Sequence, residues 1–309
     1  MCDFFDSLQK NQQNRTAFPK KTRFSPLTHP RICCTIVAVQ NQKLCSKKTC
    51  YCFGVEFLSK KMVISDLDGT LVYKGSSFNE RRFPELLRKL QNYGAFFGVA
   101  TGRSRAELEP LIAPYFSSVD AVLCDGACTF RGGRFVRGAA IEQTVLLSIF
   151  EHTKKNRCVL LLHAADTAYL YGASFVQRSR EKRRLSEVYD ISDISAVNEP
   201  IYKIALYGDN ETSVSFPSLR LAYAAAGIRE YVDEHASKLS AVKALLSDSG
   251  LSLSELTYFG DGENDAELLR SAARSFTPYC AAPDVFPLAR EHTRDVIGTI
   301  IRLCDEKTL

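Results

Sequence analysis

Met62-Val63-Ile64-Ser65-Asp66-Leu67-Asp68-Gly69-Thr70-Leu71-Val72 is a short apolar run that stops abruptly at two carboxylates, a glycine and a threonine. Val63 and Ile64 suit a buried strand, and Gly69 permits a turn that wraps backbone N–H groups around whatever Asp66 and Asp68 hold. Two acids at i and i+2 just past a buried strand can bind a divalent metal, the first serving as a carboxylate nucleophile and the second as acid and then base. The bare pair is equally an ordinary solvated turn, because Asp and Gly favour turns. The rest of the chain has to choose.

Downstream, Phe83, Leu86, Leu87, Leu90 and Tyr93 fall at helical spacing and stop at Gly94, so the first strand leads into an amphipathic helix. Ala95 to Ala100 reads as a second strand ending in Thr101-Gly102-Arg103, after which Ser104 and Glu107 form a capping box for a helix through about Ile112. A third strand, Ala121 to Leu123, runs into Cys124-Asp125-Gly126. This alternation predicts right-handed crossovers and a parallel sheet, with functional groups gathered beyond the carboxyl ends of its strands. From about Phe130 the pattern changes to a hairpin, Phe130 to Phe135, and a helix from Glu142 to Asn156. Two strands follow that pair across 164–167, then a strand from Ile201 to Tyr207, in an insert ending near Val232. The alternating scheme resumes with a helix from Ser237 to Ser247 and a strand, Leu256 to Phe259, that ends in Gly260-Asp261-Gly262-Glu263-Asn264-Asp265. Asn264, with Glu267 three later, is expected to cap the next helix, and Val296 to Cys304 is a closing helix.

The 309 residues, 45% hydrophobic and 24% charged, suit a globular protein of about two domains. No apolar run reaches the roughly 20 residues that span a bilayer. The net charge of +5 is unevenly placed: residues 1–61 hold 11 Lys and Arg against 3 Asp and Glu, and the remainder 29 against 32. A mildly acidic folded part without a recognised motif argues against nucleic acid as a partner. Six of the 11 cysteines also fall in 1–61, which lack sustained periodicity and signal-peptide order. We therefore expect this stretch to be a disordered or non-native extension, with Met62 as a possible start. Cys45, Cys50 and Cys52 lack the paired second half of a zinc clip, and the five scattered cysteines beyond suit a reducing, cytoplasmic compartment.

Four strand ends thus carry polar groups: Asp66 and Asp68, Thr101, Asp125, and Asp261 with Asp265; Lys238 opens a helix between the last two. Each has an ordinary explanation as a turn, cap or surface residue. In this order they form a constellation. The chain resembles the haloacid dehalogenase superfamily of phosphatases, specifically the Cof-like group with a large cap inserted after the third strand. The resemblance covers about Met62 to Glu306 and rests on Asp66-Leu67-Asp68-Gly69-Thr70, Ala100-Thr101-Gly102-Arg103, Ser237-Lys238 and Gly260 to Asp265.

The resemblance implies an α/β fold: a Rossmann-like parallel-sheet core over 62–129 and 233–309 with an α+β cap over 130–232. It makes Asp66 the nucleophile, phosphorylated during the reaction, and Asp68 the acid and then the base. It assigns Mg2+ to Asp66, the backbone carbonyl of Asp68 and Asp261, supported by Asp265 directly or through water. Thr101, Gly102, Lys238 and Asn264 are the implied phosphate-binding residues. The implied activity is Mg2+-dependent hydrolysis of a small phosphorylated metabolite, a sugar phosphate or phosphorylated cofactor. A phosphomannomutase-type phosphotransferase and a non-catalytic binding protein stay open as alternatives, as do the substrate and the oligomeric state. Cys124-Asp125-Gly126-Ala127 departs from the Ser-Asn-Gly-Ala usual in this group, and the added carboxylate would disfavour a second phosphate nearby. Specificity is expected on the insert. There the basic run Arg178, Arg180, Lys182, Arg183 and Arg184 reads more readily as a solvated helix face than as a substrate clamp.

Overall fold

The computed structural model describes residues 60–73, 78–208, 214–225 and 227–309. The expectations for the extension and for Cys45, Cys50 and Cys52 lie outside these residues. In chain order the strands are β1 (Met62–Ser65), β2 (Phe96–Ala100), β3 (Asp120–Leu123), β4 (Cys128–Arg131), β5 (Arg134–Gly138), β6 (Val159–His163), β7 (Ala168–Tyr171), β8 (Val188–Asp190), β9 (Lys203–Tyr207), β10 (Leu219–Ala225), β11 (Ile228–Asp233), β12 (Leu256–Phe259), β13 (Arg274–Pro278) and β14 (Glu291–Thr293). The helices are α1 (Phe83–Tyr93), α2 (Arg105–Ile112), α3 (Gln143–Asn156), α4 (Phe175–Arg184), α5 (Lys238–Asp248), α6 (Ala266–Ser271) and α7 (Val296–Asp305).

β1 is central to an eight-stranded sheet of order β14-β13-β12-β1-β2-β3-β4-β5, parallel from β14 to β3. Its four residues are all buried, as a parallel strand covered on both faces requires. The pleat sends Val63 into one apolar cluster with Phe83 and Leu86 of α1 and Ile300 and Leu303 of α7. Met62 and Ile64 point the other way, against Val242 and Leu245 of α5 and Leu268 of α6. Helices on both faces leave the carboxyl ends of the strands as the open edge where a site can form.

The hairpin expected to begin the insert belongs instead to this larger sheet, because β4 pairs antiparallel with β3 and β5 with β4. Gly132 and Gly133, at φ +53° and +76°, make the tight turn, and Phe130 is fully buried in the main core. We therefore place the change of sheet after Gly138. The second sheet, β10-β11-β9-β6-β7-β8, is antiparallel except for the β7–β8 pair. One face is covered by α3 through Ile149 and Phe150, packed on Leu160, Leu162 and Ile204. The opposite face packs Val159, Leu161 and Ala205 against Ala106 of α2. No helix among the described residues is long and apolar enough to cross a membrane.

Candidate active site

Asp66 follows β1, and its backbone N–H still bonds to Phe259 of β12 at 2.8 Å, so the strand ladder fixes the carboxylate at the sheet's edge. The chain then turns back on itself: Val72 N–H donates to Leu67 at 2.7 Å and Gly69 N–H to Val72 at 2.8 Å. Gly69 has φ +88°, and a Cβ there would lie 2.1 Å from Asp261 Oδ2. Only glycine lets this loop close on the loop after β12. Thr70 next to it donates its hydroxyl to Asp261 Oδ1 at 2.5 Å.

Asp66 is 6% exposed, and its Oδ1 accepts from Lys238 Nζ at 2.7 Å. The same ammonium donates to Asp265 Oδ1 at 2.8 Å, an oxygen that also accepts from Tyr258 at 2.6 Å. Burial pushes the Asp66 carboxyl up, Lys238 opposes the shift and Asp265 adds to it; the outcome stands well above the ordinary carboxylate range. Burial also works against the Lys238 charge, but Asp265 and Asp66 outweigh it and hold the ammonium protonated. Asp265 Oδ2 accepts from the N–H groups of Asp261 and Gly262, both at 3.0 Å. Four donors thus occupy the lone-pair directions of Asp265.

Asp66, Asp261 and Asp265 bring a carboxylate oxygen each within 4.8 Å of one another, a group able to hold a metal ion. The donor set is all oxygen, which suits a hard divalent cation. Asp66 and Asp261 each keep one oxygen outside the hydrogen bonds above, whereas Asp265 is saturated and orients the others.

Asp68 differs in kind. Its side chain is 52% exposed and is gripped by Arg103, Nε to Oδ2 at 2.7 Å and Nη2 to Oδ1 at 2.6 Å. Such bidentate pairing fixes orientation as well as charge. Thr101, 2% exposed, accepts through its hydroxyl from the Arg103 N–H at 3.2 Å, and Ser104 with Glu107 makes the expected capping box at the start of α2.

After β3 the chain takes three consecutive positive φ values, Cys124 at 52°, Asp125 at 51° and Gly126 at 100°. A Cβ on Gly126 would lie 2.2 Å from the Ser237 carbonyl, so this turn presses directly on the start of α5 and sets the position of Lys238. The role expected of Asn264 as a helix cap is corrected: it lies within the single turn Glu263–Asp265, and α6 begins behind Asp265 without a side-chain cap. Its amide instead donates to Asp125 Oδ1 at 2.8 Å, because the turn points it across the strand ends toward β3.

Asp66, Asp68, Thr101, Gly102, Asp261, Asn264 and Asp265 line one cleft of about 560 Å3, with Lys238 directly behind Asp66. A larger groove of about 930 Å3 lies at the other ends of the strands, beside Phe96 and Tyr115, and holds none of these groups. The cleft also takes in residues the sequence did not single out for it: Arg103, Glu107, Lys203, Tyr223 and Glu230. Lys203, 1% exposed on β9, donates to Glu107 at 2.8 Å, to the Gly102 carbonyl at 3.1 Å and to Glu230 at 3.2 Å. Of the basic run, Arg184 reaches the cleft and pairs with Glu107 at 2.9 Å, whereas Arg178 and Lys182 bind Asp190. Burial tends to raise the Glu107 carboxyl, but Lys203 and Arg184 prevail and hold it well below the usual range. His163, fully buried on the adjacent β6, is pushed down to about 3 by burial and stays neutral above that pH.

The profile of haloacid dehalogenase-like hydrolases matches residues 63–296, the whole stretch that builds the cleft. The chain belongs to this family. Among relatives of this haloacid dehalogenase-like hydrolase is the 5-amino-6-(5-phospho-D-ribitylamino)uracil phosphatase YbjI of Escherichia coli, 21% identical over 271 residues, covering 79% of this chain and 97% of the relative. Among solved structures, a HAD subclass IIB sugar phosphatase superposes with a TM-score of 0.65 at 19% identity, over 81% of this chain and 100% of the other. A haloacid dehalogenase-like hydrolase from Bacteroides thetaiotaomicron gives 0.68 at 18% identity, over 79% and 99%. These structural likenesses establish the fold that the alternating strands and helices predicted.

Proposed function

We propose that the protein is a Mg2+-dependent phosphomonoesterase that hydrolyses a small phosphorylated metabolite, a sugar phosphate or phosphorylated cofactor, through a phosphorylated Asp66. The observation that carries this reading is the presence on one cleft of two carboxylates of opposite character. Asp66 is buried and locked to Lys238; Asp68 is half exposed and held by Arg103. A nucleophile needs fixed aim, and a proton carrier needs access to both leaving group and water.

In the first half-reaction an Asp66 oxygen attacks phosphorus, the bond to the leaving oxygen breaks, and Asp68 delivers a proton to that oxygen. In the second, Asp68 takes a proton from water as the water oxygen attacks phosphorus, which frees phosphate and restores the Asp66 carboxylate. Thr101, the Gly102 backbone, Lys238 and Asn264 would hold the phosphoryl oxygens. Asp66, Asp261 and the Asp68 carbonyl would hold Mg2+, with Asp265 orienting them; when bound, the ion offsets the repulsion between carboxylate and phosphate. The second sheet serves as the cap that reads the leaving group, and the names of the relatives above support a small phosphorylated substrate. Four of the five described cysteines are buried, as small apolar thiols in a reducing cytoplasm would be.

The test is phosphate release from sugar phosphates, nucleotides, pyridoxal phosphate and an aryl phosphate, with Mg2+ and with EDTA. Release that needs the ion is expected; a folded protein that releases none from any ester refutes the proposal.

A further inference from the structure

The cleft's charges are almost all committed. Arg103 is taken by Asp68, Arg184 by Glu107 and Glu181, Lys203 by Glu107 and Glu230, and Lys238 by Asp66 and Asp265. Apart from Asp261, which belongs to the metal-binding group, Asp125 is the one cleft acid without an ion-pair partner among the described residues. Its Oδ1 accepts only the neutral Asn264 amide, and its Oδ2 lies where a Cβ on Gly102 would come within 3.0 Å. It therefore stands beside the Thr101-Gly102 loop, next to the implied phosphate site.

The backbone that carries this carboxylate is fixed. Its backbone is left-handed at φ 51°, a conformation unfavourable for a side chain larger than glycine, and it is held there from three directions. Asp125 N–H donates to Thr101 at 3.2 Å, Ala127 N–H to Cys124 at 3.0 Å, and Arg220 Nη2 to the Asp125 carbonyl at 3.3 Å. On the cap side the same cleft presents Glu230 and, opposite it in the β10–β11 register, the half-exposed phenol of Tyr223. A leaving group entering here meets carboxylates and a hydroxyl, which accept hydrogen bonds from hydroxyls, while the cations that line the cleft among the described residues, Arg103, Arg184 and Lys203, are each already paired with a carboxylate.

We propose that Asp125 is a specificity-determining residue that restricts this site to phosphate monoesters with a hydroxylated, uncharged leaving group and turns away substrates carrying a second phosphate. The inference rests on the phosphatase reading. A fixed negative charge in a partly desolvated cleft acts on a second anion with little screening, so discrimination of about tenfold or more in kcat/KM is expected, equivalent to about 1.4 kcal/mol.

The experiment compares kcat/KM for glucose 6-phosphate and glucose 1,6-bisphosphate, with p-nitrophenyl phosphate as a compact reference, in the full-length chain and in Asp125→Asn. Asn preserves the shape, tolerates the left-handed backbone and can still accept from Asn264. The wild type is expected to favour the monophosphate by about tenfold or more, and the variant to narrow that ratio by about tenfold. A wild-type ratio near one overturns the inference without recourse to any variant, and so does a ratio that Asp125→Asn leaves unchanged. Release from p-nitrophenyl phosphate alongside either result confines the failure to Asp125. Absence of release from all three esters refutes the phosphatase reading itself and the inference with it.

Discussion

Replacing Glu107 by Gln isolates the charge that ties α2 to β9 and α4. Glu107 sits on α2, 6% exposed, and receives Lys203 from β9 and Arg184 from α4, while its Oε2 also accepts the Ser104 N–H at 2.8 Å. Gln can keep that capping bond, so the helix start survives and only the carboxylate charge is lost. Removing one partner of a buried pair costs about 3–5 kcal/mol. Lys203 retains Glu230 and the Gly102 carbonyl, and the more exposed Arg184 retains Glu181, so the lower end, about 3 kcal/mol, is expected. For a domain of this size that corresponds to a fall in Tm of about 6–12 °C.

The assay is urea unfolding followed by circular dichroism, with the midpoint falling at unchanged m. Because Glu107 is held below its ordinary pKa in the folded state, its stabilisation is present above the unfolded value of about 4.3. It is lost as pH falls through the folded value, so the gap between wild type and Glu107→Gln should begin to narrow below about pH 4 and close only once pH has fallen past the depressed folded value. A loss under about 1 kcal/mol at pH 7, or simple additivity with Lys203→Met in a double-mutant cycle, would refute the buried Glu107–Lys203 pair.

Three further outcomes are expected. Asp66→Asn should lower phosphate release by at least about a thousandfold while leaving the melting curve close to wild type, and substantial activity in the purified variant would defeat the nucleophile assignment. Arg103→Ala frees Asp68 from its fork and should lower kcat by about 10–100-fold with a smaller change in melting temperature; unchanged kcat would show that the Arg103 grip does not matter to proton transfer. Gly126→Ala places a Cβ 2.2 Å from the Ser237 carbonyl at φ +100°, so it should destabilise the fold by about 3 kcal/mol or more and disturb Lys238; a wild-type midpoint in urea would contradict that contact.

The sequence by itself determined the parallel core and the polar positions that gather at its strand ends. The apolar run Met62 to Ile64, helical spacing in Phe83 to Tyr93, and abrupt polar stops after β1, β2, β3 and β12 are local signals, set by neighbours a few residues apart. Asp66, Asp68, Thr101, Asp261 and Asp265 were legible for that reason. Tertiary structure alone decided what they touch. The β4–β5 hairpin joins the core sheet through pairing with β3, which turn residues cannot specify, and Asn264 turns to Asp125 across a sequence separation of 139. Lys203 falls within a segment the sequence marks only as a strand, Ile201 to Tyr207, yet it lies buried between Glu107 and Glu230, 96 and 27 residues away. Its meaning depends on those distant carboxylates, because burial makes a charge costly until the fold supplies its partner.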